Sequence, residues 1–262
     1  MAEGLREQAG LGQTGQSKHP HTHGVAGCRA RAAHEQNRSH VSLAIPTLRE
    51  GLVTLRPVRL RDARVLEGEL LDNRSWLRKW EATNPHAPVS FDSRASIRGL
   101  LAHSRAGHGL PFIVEYDGQL AGQLNVSSVT WGSLSSATMG YWVGERFAGK
   151  SVTPTAVALA TDYCFYQLGL HRMEICIRPE NAASLRVVEK LGFRYEGLRR
   201  RFIHINGDWR DHFCFGLVAE ELDQGVMRRW KEGRVPADAA RVSAVDLESS
   251  LRPLPVKARS TL

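Results

Sequence analysis

The spacing of hydrophobic and polar positions predicts the first elements of the folded part of the chain. LVTLRPV (52–58) alternates apolar and polar residues, which predicts a β-strand. Over 61–73 the apolar residues recur every three to four positions, which predicts a helix. A second helix is predicted over 90–107, with Ser90 or Asp92 as the residue that caps its start.

Two turn dipeptides predict β-hairpins. Asp117-Gly118 interrupts the alternating stretch 111–129, and Asn206-Gly207 separates the alternating stretches 193–205 and 209–218. Asp-Gly and Asn-Gly favour the tight turns that join antiparallel neighbours. The pattern therefore predicts antiparallel strand pairs in the middle and at the end of the folded region.

Between the two hairpins the chain alternates strand and helix. Strands predicted over 135–144 and 172–179 flank a helix over 151–169, and another helix follows over 181–192. Such a strand–helix–strand unit places its two strands parallel to each other. The predicted fold class is α/β (α+β mixed), a single domain over 47–222 with a mixed, mostly antiparallel sheet and helices on both faces.

The flanking segments differ from this domain in composition. Residues 1–46 lack Trp, Tyr and Phe, which predicts a disordered N-terminal tail. Residues 223–262 are predicted to form a short helix and then, from residue 231, a loose tail that mixes Pro with charges of both signs. No apolar run approaches the ~18–20 residues of a membrane span, and no apolar signal segment is found near the start. We expect a cytoplasmic protein without membrane contact.

The net charge of +8 is concentrated in the two tails. Residues 1–45 carry five basic and three acidic side chains, and residues 223–262 carry eight and five, so +2 and +3 leave +3 for the middle. Basic tails favour a weak association with RNA or ribosomes. They do not make a domain that reads nucleic acid, and the sequence contains no nucleic-acid-binding motif.

The cysteines have neither metal-binding nor redox spacing. The four are Cys28, Cys164, Cys176 and Cys214. No two form a C-x-x-C motif, and three lie in apolar stretches. We expect buried free thiols and no metal site.

The stretch GERFAGKS (144–151) matches the phosphate-binding loop of nucleotide hydrolases letter for letter. Those enzymes also need an Asp at the end of an apolar strand to hold magnesium, and no such strand follows Ser151. The surroundings still favour a phosphate, because a strand leads into a helix whose N-terminal N–H groups attract anions. An ordinary capped helix start is the alternative interpretation.

In another frame these residues are Arg146-x-x-Gly149-x-Ser151, which resembles the [QR]-x-x-G-x-[GA] pyrophosphate loop of the GNAT superfamily of N-acetyltransferases. Ser151 stands where that family has Gly or Ala, and its hydroxyl is a candidate helix cap. The N-x-x-S and G-F-x-x-E-G patterns within 171–197 and the stretch NGDWRDH (206–212) are similar to the RimJ/RimL ribosomal-protein alanine N-acetyltransferases. The resemblance covers about 50–220.

The resemblance implies how acetyl-CoA is held. In this family the pyrophosphate lies on the loop, and the pantetheine arm follows a strand that splays away from its neighbour. The residues implied to bind acetyl-CoA are Tyr141, Trp142, Val143, Arg146, Ala148, Gly149, Lys150, Ser151 and Asn181. No metal is implied. Trp142 is equally well explained as a core residue.

The resemblance also implies the catalytic groups. A backbone N–H near Val143 stabilises the developing oxyanion. Ser184 protonates or solvates the leaving thiolate, and Asn181 lies one helical turn before it. As the alternative, Asn181 simply caps its helix and Ser184 is a tolerated small residue.

The acceptor side is less determined. Some relatives carry a Glu shortly before the Asn-Gly turn, where this chain has Ile203, so the general base stays open. The candidates for the base are Glu81, Glu115, His204, Asp211 and His212. The residues implied to bind the acceptor are Trp80, Glu81, Asn125, Asp211 and His212. As alternatives, Asp211 belongs to a structural Arg–Asp pair and Asn125 lies near a β-bulge.

These features predict an acetyl-CoA-dependent N-acetyltransferase that acts on an α-amine, with the N-terminal alanine of a ribosomal protein as its expected acceptor. An α-amine has a pKa near ~8, so a fraction is neutral at pH 7 and a strong base is less necessary. One alternative is an acetyltransferase of the same fold that acts on a small-molecule amine, such as an aminoglycoside or an amino acid. The other is a non-catalytic CoA- or RNA-associated protein.

Overall fold

The computed structural model describes residues 45–86, 92–252 and 254. Its strands are β1 (Leu48–Glu50), β2 (Val53–Pro57), β3 (Leu110–Tyr116), β4 (Gln119–Thr130), β5 (Ser136–Val143), β6 (Arg172–Ile177), β7 (Arg194–Ile205) and β8 (Asp208–Val218). Its α-helices are α1 (Ala63–Asp72), α2 (Arg74–Leu77), α3 (Ser93–Arg105), α4 (Val152–Asp162), α5 (Ala182–Leu191), α6 (Val226–Lys231) and α7 (Ala244–Ser250). Short 3-10 helices occupy Leu60–Asp62, Glu145–Phe147 and Ala219–Glu221, and α4 continues as a π-helical turn over Tyr163–Gln167. Within these ranges, no helix combines the length and the apolar character that crossing a bilayer requires.

The strands form one sheet in the order β1-β2-β3-β4-β5-β6-β8-β7. All neighbouring strands are antiparallel except β5 and β6, which are parallel and are joined through α4. The predicted mixed, mostly antiparallel sheet and its single parallel crossover are therefore confirmed. The hairpins predicted at Asp117-Gly118 and Asn206-Gly207 join β3 to β4 and β7 to β8.

The start of the sheet differs from the prediction of one strand over 52–58. The structure has two antiparallel strands there, and Leu48 and Leu55 lie opposite each other in β1 and β2. Gly51 adopts a φ of 56° between them. This left-handed conformation suits glycine and lets the chain reverse within two residues. The short strand β1 was missed because three residues are too few to show an alternation.

Helices cover both faces of the sheet, as predicted. Phe112 and Val114 of β3 belong to the larger core, which also contains residues of α4 and α5. Ile113 points to the opposite face and packs with Leu66 of α1 and Ile97 of α3. Alternate residues of one strand thus anchor two separate helical layers. At the start of α3, the side chain of Asp92 accepts a hydrogen bond from the N–H of Ala95 at 2.8 Å.

The segment after α6 was predicted to be a loose tail. In the structure it packs along β7, the last strand of the sheet. The N–H of Tyr195 donates to the carbonyl of Ala239 at 2.8 Å, and its hydroxyl donates to Asp246 of α7 at 2.8 Å. An edge strand has unpaired backbone groups, which explains why a polar segment orders there. The predictions made for residues 1–44, Ser90 and 255–262 lie outside the described residues.

The parallel strands β5 and β6 separate along their length. Their pairing is restricted to residues 136–138 and 172–174. Beyond that point residues 139–143 stay paired with β4, and residues 175–177 stay paired with β8. The sheet therefore opens into a wedge-shaped gap between β5 and β6.

Candidate active site

The gap exposes backbone groups at the end of β5. The N–H of Gly144, just after β5, donates to the carbonyl of Ala121 in β4 at 2.8 Å, so this N–H points towards β4. Because successive residues of a strand point their backbone groups to opposite sides, Val143 points its own groups into the gap. Its carbonyl accepts a hydrogen bond from the indole of Trp76 at 3.2 Å. The N–H of Val143 therefore faces the gap, at the position expected of an oxyanion donor.

Two cavities of about 400 and 430 Å³ meet in this gap. The first extends from α4 to α5, and the second lies over β4, β6 and β8. The residues that line both are Leu77, Trp80, Tyr141, Trp142, Asn181 and Ser184. A molecule in one cavity would therefore lie next to a molecule in the other at these side chains.

Most of the predicted acetyl-CoA residues line the first cavity. They are Tyr141, Trp142, Val143, Ala148, Gly149, Ser151 and Asn181. The side chains of Arg146 and Lys150 point elsewhere. Arg146 forms an ion pair with Glu69 at 2.5 Å, and the Lys150 ammonium lies 5.7 Å from the ring of Tyr116. The positive charges that line the cavity are instead Lys79, after α2, and Arg186 and Lys190 of α5, none of which was predicted from the sequence as a ligand of acetyl-CoA.

Ser151 precedes α4 but does not cap it through its side chain. Its backbone has φ 59° and ψ 14°, in the left-handed region, and its hydroxyl makes no cap hydrogen bond. The expectation of a hydroxyl cap is therefore wrong. A Cβ is unfavourable at this φ, which gives a physical reason for the Gly that the resembling motif allows here.

Asn73 fixes the start of the loop and was not predicted. It is 8% exposed, and its Oδ1 accepts a hydrogen bond from the N–H of Glu145 at 2.8 Å. Its Nδ2 donates to the carbonyl of Glu69 at 2.8 Å. One buried amide thus joins the end of α1 to the loop that precedes α4. Its signal in the sequence is weak, because an Asn after a helix is common.

Ser184 and Asn181 lie at the junction of the cavities. Asn181 caps α5, since its Oδ1 accepts a hydrogen bond from the N–H of Ser184 at 3.1 Å. The capping role considered for Asn181 is thus present. The hydroxyls of Ser184 and Tyr141 are neighbours at this junction, and the buried Tyr141 hydroxyl makes no hydrogen bond among the described residues. Burial raises the pKa of Tyr141, which therefore stays protonated, and the two neighbouring hydroxyls are called the hydroxyl pair below.

Trp80 forms the wall between the cavities. Its ring contacts two cations, with the Lys79 ammonium 5.0 Å and the Arg178 guanidinium 5.4 Å from the ring centre. Arg178 also donates to the carbonyl of Lys79 at 2.6 Å, which ties the chain after α2 to the end of β6. Glu81 lines the second cavity and pairs with Arg74.

Polar side chains of β4 and β8 line the second cavity. Gln123 and Asn125 are two residues apart on β4 and share a face of the sheet. The buried Gln123 Nε2 and Asn125 Oδ1 have no hydrogen-bond partner among the described residues. Buried polar groups are normally paired, so these two atoms favour a ligand that supplies an acceptor and a donor. Gln123 was not predicted, and His212 of β8 lines the same cavity.

The other candidate bases lie outside both cavities. Glu115 pairs with Arg56 at 2.6 Å. His204 is 2.8 Å from the hydroxyl of Thr83. Asp211 accepts a hydrogen bond from the N–H of Arg201 at 2.7 Å and holds a bulge in β7. The structural interpretation of Asp211 as part of an Arg–Asp arrangement therefore fits the geometry.

Two cysteines meet across β6 and β8, although they are far apart in sequence. The Sγ atoms of Cys176 and Cys214 lie 2.8 Å apart, and both thiols are free. Glu174 is close enough to complete a set of three potential metal donors. Both of its carboxylate oxygens accept hydrogen bonds from Arg199, at 2.6 and 2.9 Å. A guanidinium in this position disfavours a bound cation.

The family of acetyltransferase (GNAT) domains matches residues 53–194. The chain belongs to the GNAT family. This membership confirms the predicted fold and identifies the chain as an acetyltransferase of that type. It also explains the splayed strands and the loop before α4, since the sequence motif that resembles the family lies at this gap.

Three known proteins illustrate what this GNAT acetyltransferase is similar to. The RimJ structure of Mycobacterium smegmatis in complex with CoA-disulfide is 38% identical, with a TM-score of 0.67 over 72% of this chain and 94% of that one. The [Ribosomal protein uS5]-alanine N-acetyltransferase of Escherichia coli is 26% identical over 66% of this chain and 91% of the relative. The probable N-acetyltransferase YjcK of Bacillus subtilis is 37% identical over 41% of this chain, and the chain spans 60% of its length.

Proposed function

We propose that this chain is an acetyl-CoA-dependent N-acetyltransferase that acetylates an α-amine, with the N-terminal alanine of a ribosomal protein as its acceptor. The observation that carries the proposal is the junction of two cavities at Tyr141 and Ser184. One cavity suits the cosubstrate and the other suits the acceptor. The similarity to the uS5-alanine N-acetyltransferase supports the choice of acceptor, and the similarity to RimJ in complex with CoA-disulfide supports the choice of cosubstrate.

The residues of the first cavity fit acetyl-CoA. A Cβ built on Gly149 would meet no atom within 4 Å, so the loop is open to a ligand at that point. The N-terminus of α4 favours an anion, and Arg186 and Lys190 add positive charge for the phosphates. When bound, acetyl-CoA supplies the acetyl group as a thioester. The unpaired side of β5 provides N–H and C=O groups for the pantetheine amides.

Different groups of the chain then assist different steps of the acetyl transfer. The N–H of Val143 stabilises the negative charge that develops on the acetyl oxygen. The hydroxyl pair of Tyr141 and Ser184 provides a proton for the leaving sulfur. Trp80 forms a wall between the two cavities. The acetyl group and the amine therefore meet at the junction.

The charges of the second cavity disfavour a polycationic acceptor such as an aminoglycoside. Its charged lining residues are Glu81, which is already paired with Arg74, and Arg178. A polycation requires an excess of negative charge, which these residues do not provide. The unpartnered Gln123 and Asn125 instead suit the carbonyl and N–H of a peptide.

Mass spectrometry tests the proposal directly. The purified protein is incubated with acetyl-CoA and ribosomal proteins, and the N-terminal peptides are sequenced. We expect one acetyl group on an α-amine of an N-terminal alanine. The matched control is an alanyl peptide with its α-amine blocked and a lysine left free, which should stay unmodified. Acetylation of aminoglycosides or amino acids alone would support the small-molecule alternative, and CoA binding without any acetylation would contradict the proposal.

A further inference from the structure

His212 is held in one orientation at the second cavity. It is 3% exposed, and its Nδ1 lies 3.0 Å from the carbonyl oxygen of Arg210. Because a carbonyl only accepts hydrogen bonds, Nδ1 carries the ring proton and Nε2 keeps its lone pair. The imidazole also packs against the ring of Phe202 in a T-shaped arrangement, with the centroids 5.9 Å apart. The ring is therefore fixed with Nε2 as its basic atom.

The other titratable groups that line this cavity are engaged or retain their protons. The carboxylate of Glu81 is paired with Arg74. Burial raises the pKa of the Tyr141 hydroxyl. The thiol of Cys176 faces the sulfur of Cys214, and this contact raises its pKa. Among the described residues that line this cavity, His212 is therefore the titratable group with an available basic lone pair.

The surroundings of His212 favour the neutral ring. Burial is the main cause that lowers its pKa below the ordinary 6.5, and the positive charge of Arg178 acts in the same direction. The hydrogen bond to the carbonyl of Arg210 and the carboxylates of Glu180 and Asp211 act in the opposite direction, but burial prevails and the pKa is lowered. Arg199 stands opposite His212 in the register of β7 and β8 and adds positive charge. At pH 7 the ring is thus ready to accept a proton.

We propose that Nε2 of His212 is the general base of the acetyl transfer, an inference that rests on the proposed function. As the α-amine attacks, the N–C bond forms and the C–S bond of the thioester breaks. The amine gives one proton to Nε2, and the leaving sulfur receives one from the hydroxyl pair of Tyr141 and Ser184. Exchange with water then restores the imidazole and the hydroxyls.

The first test compares His212→Asn with the wild type. The Asn side chain keeps an N–H donor for the carbonyl of Arg210 but has no basic nitrogen. We expect kcat on an alanyl peptide to fall by about 100-fold at pH 7, the contribution typical of a general base. The affinity for acetyl-CoA, measured by calorimetry, should not change. His171→Asn, at an exposed histidine paired with Glu220, is the matched control and should keep its kcat.

The dependence of kcat/KM on pH separates a base from a structural residue. The wild type requires a neutral amine and a neutral imidazole, so the logarithmic profile should rise with a slope of about two below the imidazole pKa. His212→Asn requires only the neutral amine, so its slope should stay at about one at all pH values below the pKa of the amine. A merely structural role would lower the rate without changing the slope.

Nuclear magnetic resonance of ¹⁵N-labelled histidine in the free enzyme tests the same inference without turnover. We expect His212 to carry its proton on Nδ1 and to titrate below pH 6.5. A proton on Nε2, an unchanged kcat in His212→Asn or an unchanged pH slope would each overturn the inference, and the resonance test stands even if the variant does not fold. A wild type that acetylates no amine would instead refute the proposed function and this role with it.

Discussion

Ser151 shows how a single backbone angle explains an imperfect motif. The chain needs a left-handed turn just before α4, and Ser151 provides it at a φ of 59°. The GNAT motif that this loop resembles has Gly or Ala here. Relative to Gly, the Cβ of Ser151 costs conformational energy at this φ, and the loop is nevertheless formed.

Ser151→Gly is expected to stabilise the protein. Removing the Cβ relieves the left-handed strain and should raise the free energy of unfolding by about 1 kcal/mol, measured by chemical denaturation. Ser151→Ala keeps the Cβ and should stay within about 0.5 kcal/mol of the wild type. Equal effects of the two substitutions would show that strain is not the cause.

Ser184 and Tyr141 act as one hydroxyl pair in the proposed mechanism. Ser184→Ala keeps the backbone cap on Asn181 and removes the hydroxyl, so kcat should fall on the order of 100-fold while the Kd for acetyl-CoA is retained. Adding Tyr141→Phe should cause little further loss, because residues that act as a unit are not additive. Steady-state kinetics of the single and double variants check this. Additive losses would assign the two hydroxyls separate roles.

At the scale of elements, the site depends on how α1, the loop before α4 and the splayed strands are joined. Asn73 connects the first two through one buried amide. The strands are joined by few backbone bonds at their parallel ends and by none along residues 139–143. The loop and the gap thus rely on side chains from elements that precede them by many residues.

Asn73→Ala should loosen the loop. The N–H of Glu145 loses its side-chain partner, and the carbonyl of Glu69 keeps only the backbone N–H of residue 73, so the free energy of unfolding should fall by about 1 kcal/mol. The affinity for acetyl-CoA should fall as well, as measured by calorimetry. Asn84→Ala, at an exposed Asn that accepts a hydrogen bond from the N–H of His86, is the control and should change neither quantity. Unchanged acetyl-CoA binding in Asn73→Ala would show that the position of the loop does not affect the affinity for the cosubstrate.

At the scale of the whole described chain, the segment after α6 covers the last strand of the sheet. Tyr195 contributes two hydrogen bonds to it, one from the backbone and one from the side chain. Arg200 adds a third contact with the carbonyl of Arg252 at 2.9 Å. This cover protects an edge that otherwise offers free backbone groups to another chain.

Truncation after residue 231 should therefore lower the melting temperature and promote self-association. Both follow because the edge of β7 loses its cover. Differential scanning fluorimetry and size-exclusion chromatography measure the two effects. Val245→Ala, at a side chain of α7 that is 74% exposed, should behave as the wild type. A truncated protein that stays monomeric and equally stable would show that the segment does not protect the sheet.

Much of the fold was predictable because it depends on local signals. Alternation, helix caps and the dipeptides Asp117-Gly118 and Asn206-Gly207 act within a few residues, and they specify the elements and the hairpins. The loop motif 146–151 is likewise local, so its position before a helix could be read directly. The short strand β1 and the order after residue 231 were missed, since both depend on neighbours in space.

The sequence by itself determined the order of elements, the GNAT resemblance and the position of the loop, because each is written in residues close together along the chain. Only the tertiary structure decided which side chains share a cavity. The residues that line the second cavity include His212, Gln123 and Asn125 but not Glu115, His204 or Asp211. The physical reason is that hydrogen-bond partners such as the carbonyl of Arg210, and burial itself, are set by packing between distant strands rather than by local spacing.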